Sequence, residues 1–339
     1  MIKVFAFLMA LLTTVTSAIC QSTSNNVSFT KRMRVIIDND FSGDPDGLFQ
    51  LTHLLLSPSV ETRGIIGSHL SVKDFIDPSE KQAENAAKKA KEVLKLLNMQ
   101  DSIRVLTGSN LAMPNDSTPV KSEAVNFIIQ EALRTDTKLP LYILCGAGLT
   151  EVASALLTNP AIAEKFTLIW IGGPEYPDLA FPPPKAPRIE YNLNIDIAAA
   201  RVVFNQSTVA LWQVPRDAYR QPILSYSQLL LNIKSKGNMG NYLYQQLLQL
   251  MKKIGNVGET YILGDSPLVL LTALQTYFEP DPASSTYQNK MAPKINRQGQ
   301  YEDSQTGRTI RVYTKLDVAL MLNDFFAKLE LFNQQRKPK

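Results

Sequence analysis

Four aspartates, Asp38, Asp40, Asp44 and Asp46, fall within nine positions directly after the apolar run MRVII. Carboxylates this close repel one another, and each raises the pKa of the next. A chain keeps such a group where a cation neutralises it, where water solvates it, or where it does chemistry. Carboxylate and carbonyl oxygens suit a hard divalent cation, and a flexible loop rich in oxygens favours Ca2+ over Mg2+. A cation held there would activate a water molecule for attack.

Two other chemistries use aspartates at similar spacing. In an EF-hand loop, Asp38, Asp40, Ser42, Gly43 and Asp46 would take positions 1, 3, 5, 6 and 9, but position 12 is then Phe49 where a bidentate Glu is needed. A strand also precedes the loop where a helix should. An Asp-nucleophile phosphatase resembling the haloacid-dehalogenase group would use Asp38 as nucleophile and Asp40 as acid, with Ser42 two places on. The chain shows no companion lysine and no later Asp-Asp pair for that chemistry.

The elements that must position these residues follow an alternating pattern. MRVIID reads as a strand, and GLFQLTHLLLS as a helix with Leu48, Leu51, Leu54 and Leu55 on one face. ETRGIIGSHL is a second strand, and residues 78–98 an amphipathic helix with Ser79 as N-cap. IRVLTG, LYILCGAG, TLIWIGGPE and TVALWQVP read as strands. KSEAVNFIIQEALR, LTEVASALLTN, DIAAARVVFN and ALMLNDFFAKLELF read as helices, and YEDSQTGRTIRVYTKLD as a hairpin turning at Thr306-Gly307. Strands alternating with helices of about ten to fifteen residues predict βαβ units and a mostly parallel sheet flanked by helices. The fold class is α/β, one domain over residues 32–335. Ligands of such sheets bind beyond the carboxyl ends of the strands. The polar clusters DNDFSGDPD, GSH, CGAG, GGPE, VPRD and LGDS all fall at strand ends.

The chain has 339 residues, 45% hydrophobic and 19% charged, with a net charge of +4. That is enough for a substantial core, and it gives no basic face for nucleic acid. Residues 1–20, MIKVFAFLMALLTTVTSAIC, read as a secretory signal with Lys3 before the apolar stretch Val4 to Leu12. The expectation is an exported protein, periplasmic or secreted, with Cys20 as the alternative attachment point of a lipid anchor. Residues 21–31 form a flexible lead. Loss of Cys20 leaves Cys145 alone, so no intramolecular disulfide is expected and Cys145 reads as a small buried hydrophobe.

The pattern Asp40-x-x-x-Asp44-x-Asp46 after a buried strand resembles the N-terminal signature of the nucleoside hydrolases, the inosine-uridine-preferring N-ribohydrolase family. Further motifs follow in the family's order: Cys145-Gly146-Ala147-Gly148-Leu149-Thr150, then Ile171-Gly172-Gly173, then Glu190-Tyr191-Asn192-Leu193-Asn194-Ile195-Asp196 with Ala198-Ala199-Ala200, and last Gly264-Asp265-Ser266-Pro267. The form Gly-Asp-Pro-Asp resembles a secreted bacterial branch of that superfamily. The resemblance implies a nucleoside-hydrolase-like fold and calcium-dependent cleavage of a ribonucleoside to ribose and free base. Asp40, Asp44, Asp46, Asp265 and the Gly146 carbonyl would hold the Ca2+, and Asp40 would take the proton of the attacking water. Asp44, His69, Glu190 and Asn192 would bind the sugar. The partner implied is a small-molecule ribonucleoside, and a homo-oligomer is the assembly common in the family. The alternatives are a non-catalytic metal- and sugar-binding homologue, or a hydrolase of another riboside.

Two departures from the family pattern stand out. Pro45 separates the last two aspartates, and Gly264 stands where the family often has a His that helps the base leave. The only histidines are His53, expected to be structural inside an apolar helix, and His69, at a strand end. Tyr191, Tyr219, Arg216 and Arg220 are the other groups that could assist the leaving base. Tyr191 and Trp212 could stack on it, Trp212 being equally readable as core.

Overall fold

The computed structural model describes residues 28–255, 258–275, 285–304 and 307–335. The expected signal segment 1–20, Cys20, the lead through residue 27 and Thr306 of the expected turn lie outside the described residues. Among the described residues twelve strands are formed: β1 (Met33–Asn39), β2 (Val60–Gly67), β3 (Arg104–Thr107), β4 (Leu141–Cys145), β5 (Phe166–Ile171), β6 (Ala210–Val214), β7 (Ile223–Ser225), β8 (Thr260–Ile262), β9 (Thr286–Met291), β10 (Lys294–Ile295), β11 (Tyr301–Glu302) and β12 (Thr309–Lys315). Eight of them make one sheet in the order β3-β2-β1-β4-β5-β6-β12-β9. Every neighbouring pair is parallel except β12 with β9. The helices are α1 (Asp46–Leu55), α2 (Gln82–Leu96), α3 (Glu123–Ala132), α4 (Thr150–Thr158), α5 (Tyr191–Ile195), α6 (Ile197–Arg201), α7 (Arg216–Tyr219), α8 (Tyr226–Gln228), α9 (Gly237–Ile254), α10 (Pro267–Leu270) and α11 (Val318–Gln335).

The sheet has an apolar core on each face, as a parallel sheet requires. Side chains alternate along β1. Val35 and Ile37 join the core made with α1, α2, α9 and α11, and Ile36 joins the other, made with α3 and α4. From β1 the chain builds outward to β2 and β3, then returns to build β4, β5 and β6 on the other side. The order therefore reverses between β1 and β4, and the crevice beyond their carboxyl ends is the natural ligand site. The aspartate-rich segment leaves β1 at that point, and Gly146 leaves β4 there.

Three local expectations change. The helix expected over 78–98 begins at Gln82, and Lys81 precedes it without a side-chain cap. Ser79 instead accepts from the Lys81 and Asn85 nitrogens within a loop that forms a wall of the crevice. Helix α6 continues as a wider π turn over Val202–Gln206. The hairpin expected over residues 301–317 does not form. Tyr301–Glu302 pairs with Lys294–Ile295, whereas β12 lies between β6 and β9. Ile310, Val312 and Tyr313 are all buried, which an isolated hairpin could not provide.

Candidate active site

Asn39, the last residue of β1, organises the crevice. Its Oδ1 accepts from the Asp40 backbone N–H at 2.8 Å, and its Nδ2 donates to Asp265 Oδ2 at 2.9 Å. Asp46, the first residue of α1, accepts from the Asp265 N–H at 3.1 Å through Oδ2. Asp44 accepts from the Asp46 N–H at 3.3 Å, which folds the segment around Pro45. The amide of Asn39 has room only because two neighbours lack side chains. A Cβ on Gly146 would lie 2.5 Å from Asn39 Nδ2, and one on Gly47 2.9 Å from it.

A second set closes the other side. Glu190 caps α5, accepting from Asn192 N at 3.2 Å through Oε1 and from Leu193 N at 3.0 Å through Oε2. It also accepts from Gly173 N–H at 2.8 Å and from the Tyr219 hydroxyl at 2.8 Å. A carboxylate offers about four acceptor positions, and all of these are filled. Glu190 therefore braces the wall and has no position left for a sugar hydroxyl. Asn192 donates through Nδ2 to the Gly146 and Ile171 carbonyls at 3.1 and 2.8 Å, which leaves its Oδ1 as an acceptor.

These residues enclose a cavity of about 340 Å³ lined by Asp40, Asp44, Asp46, Asp265, Gly146, Ile171, Glu190, Asn192, Tyr191, Tyr219, Gly264 and the loop residues Asp74, Phe75 and Ile76. Burial pushes the Asp40 carboxyl well up, and Asp265, Asp44 and Asp74 push it further. Asp46 is raised well above the ordinary range by burial and by Asp265, Asp44 and Asp40. Asp265 is pushed up to about 7, mainly by burial. Asp44 stands exposed at the mouth. The Tyr191 hydroxyl donates to Asp74 at 2.6 Å. Burial and neighbouring carboxylates raise the phenols of both Tyr191 and Tyr219. A larger cavity of about 600 Å³, lined by Phe29, Leu56, Phe332 and others, lies at the amino ends of the strands, and Asp324 is the one carboxylate among its described lining residues.

The donor set fits a hard divalent cation by chemistry, since it is all oxygen and the Asp40 carboxyl accepts no hydrogen bond from the side chain or backbone of another described residue. Among the described residues, no three His, Cys, Asp or Glu side chains converge on one ion position.

The structure brings Asp40, Asp44, Asp46, Gly146, Glu190, Asn192 and Asp265 into one cavity. It leaves His69 out. That ring is buried, its Nδ1–H donates to the Leu70 carbonyl at 2.9 Å, and its Nε2 pairs with the Thr150 hydroxyl at 3.0 Å. His69 thus holds the loop after β2 to α4 and is no wall of the cavity. His53 is structural as expected, its Nε2 lying 2.8 Å from Asp324 of α11. Arg216 is clamped by Glu175 through two contacts of 2.6 Å, and neither it nor Arg220 lines the cavity. Trp212 packs in the sheet against Tyr142 and Tyr313. Asp38 also departs from the other three aspartates. It points behind the cavity, takes the Ser68 hydroxyl, and is pushed up to about 7 by burial. Cys145 is buried beside it, 4.0 Å from Asp38 Oδ2. Sequence reasoning missed Asn39, whose one signal is its place between two aspartates, and Asp74 and Phe75, which carry no signal at all. It also gave no reason for Gly264. A Cβ there would meet Asp46 Oδ2 at 3.1 Å, so the position leaves little room for a side chain.

Residues 35–323 match the family of inosine-uridine preferring nucleoside hydrolases. A comparison with curated proteins finds no match. Among solved structures, the chain is similar to a purine-preferring ribonucleoside hydrolase from Gardnerella vaginalis, at 20% identity and a TM-score of 0.66, over 89% of this chain and 99% of that one. It is also similar to an inosine-uridine preferring nucleoside hydrolase from Bacillus anthracis, at 19% identity and a TM-score of 0.62, over 88% and 99%. A plant nucleoside hydrolase aligns at 17% identity and a TM-score of 0.65, over 88% and 99%. The family match spans nearly the whole described fold and includes every strand of the crevice, so the chain belongs to the inosine-uridine preferring nucleoside hydrolases and is an N-glycosyl hydrolase of ribonucleosides.

Proposed function

We propose that the chain is an exported, calcium-dependent ribohydrolase that converts a ribonucleoside and water to ribose and free base. The observation that supports it most is that Asp40, Asp44, Asp46 and Asp265 line one cavity at the reversal point of the sheet, with Asn39 linking the Asp40 backbone to the Asp265 carboxyl. Ca2+ would be held by these four carboxylates and the Gly146 carbonyl, and when bound it would lower the pKa of a water and orient it. Asp40 accepts that water's proton. Asp44, exposed at the mouth, accepts from the ribose hydroxyls, and Asn192 offers its Oδ1 to the sugar. Glu190 and Tyr219 hold this wall in place. Cleavage builds positive charge at C1′, and fixed anions beside it stabilise that charge more than they stabilise the neutral sugar.

The export reading rests on the apolar stretch near the amino terminus. Among the described residues no helix is long and apolar enough to cross a membrane.

The test is release of reducing sugar from a panel of purine and pyrimidine ribonucleosides by residues 21–339, with Ca2+ and with a chelator. Release that the chelator abolishes and added Ca2+ restores is the expected result. Release that is indifferent to chelation overturns the calcium reading.

A further inference from the structure

We infer that this cavity favours ribosides whose base already carries a positive charge, such as an N7-alkylated purine riboside or an N-ribosyl pyridinium, over neutral nucleosides. The inference rests on the ribohydrolase reading above and adds to it the chemistry of the leaving group.

A neutral base that departs from C1′ takes the bonding electron pair and leaves as an anion unless an acid protonates it. Among the described residues, the cavity has no such acid to spare. Both histidines of the chain are committed elsewhere, His53 to Asp324 and His69 to Leu70 and Thr150. No Lys or Arg is among the described residues that line the cavity. The internal stretches 256–257, 276–284 and 305–306 contain no Lys, Arg or His in the sequence. Lys253 touches the loop from outside, donating to the Ile76 carbonyl at 3.2 Å with its Nζ 4.7 Å from the centre of the Phe75 ring. The two hydroxyls among the described wall residues are both spent. Tyr191 gives its hydrogen to Asp74, and Tyr219 gives its hydrogen to Glu190. What remains are carboxyls, and the reaction uses those as anions.

A cationic base needs no proton. The water oxygen forms its bond to C1′ as the C1′–N bond breaks. The electron pair returns to the ring nitrogen, which goes from cationic to neutral. One water proton passes to Asp40 and then to solvent, so the products are ribose, a neutral base and a proton. The walls suit such a substrate before the bond breaks as well. Asp74 stands at the mouth beside the half-exposed ring of Tyr191, which is 43% accessible. An acidic group next to an aromatic face attracts a flat cation.

The experiment measures kcat/KM for ribose release by the calcium-loaded protein, each value divided by the uncatalysed rate of the same substrate. Guanosine and N7-methylguanosine differ by one methyl group and, at about pH 6, by one charge. A p-nitrophenyl riboside is the third substrate, because its phenolate leaves without a proton. The expected result is cleavage of the aryl riboside and a normalised advantage of about 100-fold or more for N7-methylguanosine over guanosine, the range one missing general acid accounts for. Equal normalised values for the two guanosines overturn the inference and leave the ribohydrolase reading standing. No cleavage of any of the three, the aryl riboside included, overturns the ribohydrolase reading and the inference with it.

Discussion

Asp40 shows how one side chain can be good for catalysis and bad for the fold. Its carboxylate is buried, and Asp265, Asp44 and Asp74 all repel it. Replacing it with Asn keeps the shape and removes one charge from the group. Loss of the proton acceptor should lower kcat by about 100-fold or more. In calcium-free buffer the same variant should melt higher than the parent, because a like charge has gone from a desolvated cluster. Ribose release and a thermal melt on the same preparation check both signs. A lower melting temperature in calcium-free buffer would mean that Asp40 is not repelled there. The four aspartates were visible in the sequence as a group, but their separation into three in the cavity and one behind it was not. That division follows from the alternation of β1, which sends Asp38 to the face of Ile36 and lets the chain turn only after Asn39.

At the scale of elements, the position of the cavity depends on how closely α2 lies on β2. Gly67 is the last residue of β2, and a Cβ there would sit 2.3 Å from the Ala87 nitrogen and 2.7 Å from the Ala83 carbonyl. Both are backbone atoms of α2 and cannot swing away. Gly67→Ala must push the helix off the strand and should cost about 2–3 kcal/mol, as overpacking does. Gly258→Ala, where a Cβ meets nothing within 4 Å, is the control and should change little. Urea unfolding of both variants measures the difference. A Gly67→Ala protein as stable as the control would show that the helix can move without penalty. The same packing explains which elements could be read in advance. The parallel strands β1, β4, β5 and β6 are largely apolar runs bounded by polar clusters, β2 carries most of its apolar residues at its carboxyl end, and that pattern is local. The pairing of β12 with β6 is not local, since β6 lies far away in sequence, and its pairing with β9 skips the intervening strands β10 and β11. A turn-like Thr-Gly beside two strand-like runs therefore suggested a hairpin that the fold does not make. The loop carrying Asp74 and Phe75 was unreadable for a related reason. Its residues are polar or exposed, and only the docking of α2 and α5 places them over the cavity.

For the whole molecule, buried and half-buried carboxyls of opposite tendency shape the stability curve against pH. Burial pushes Glu131 up, but Arg63 and Arg134 more than reverse it and leave it below the ordinary value. Asp324 is likewise lowered, burial being outweighed by His53 and Lys328. A lowered carboxyl stabilises the fold above its unfolded pKa of about 4 and loses that contribution as pH falls through its folded value. Glu151 goes the other way. It is fully buried behind the cavity, accepts from Ser109 N–H at 2.6 Å through Oε1, and leaves Oε2 without a partner. Burial first, and then the charge of Asp38, raise it well above the ordinary value. Its contribution is complete below about pH 4 and declines as pH rises, because the fold must either keep a proton there or hold a buried charge. Glu151→Gln keeps the Oε1 acceptor and removes the titration. Its new buried amide hydrogens carry a cost that does not depend on pH. With Ca2+ saturating throughout, so that the cavity carboxylates stay ionised, the melting temperature of Glu151→Gln relative to the parent should climb steadily from about pH 5 to about pH 8. One pKa unit is worth about 1.4 kcal/mol, and in a protein of this size that corresponds to a rise of a few degrees. A difference between the two proteins that stays constant across this range would mean that Glu151 ionises as easily in the fold as in the unfolded chain.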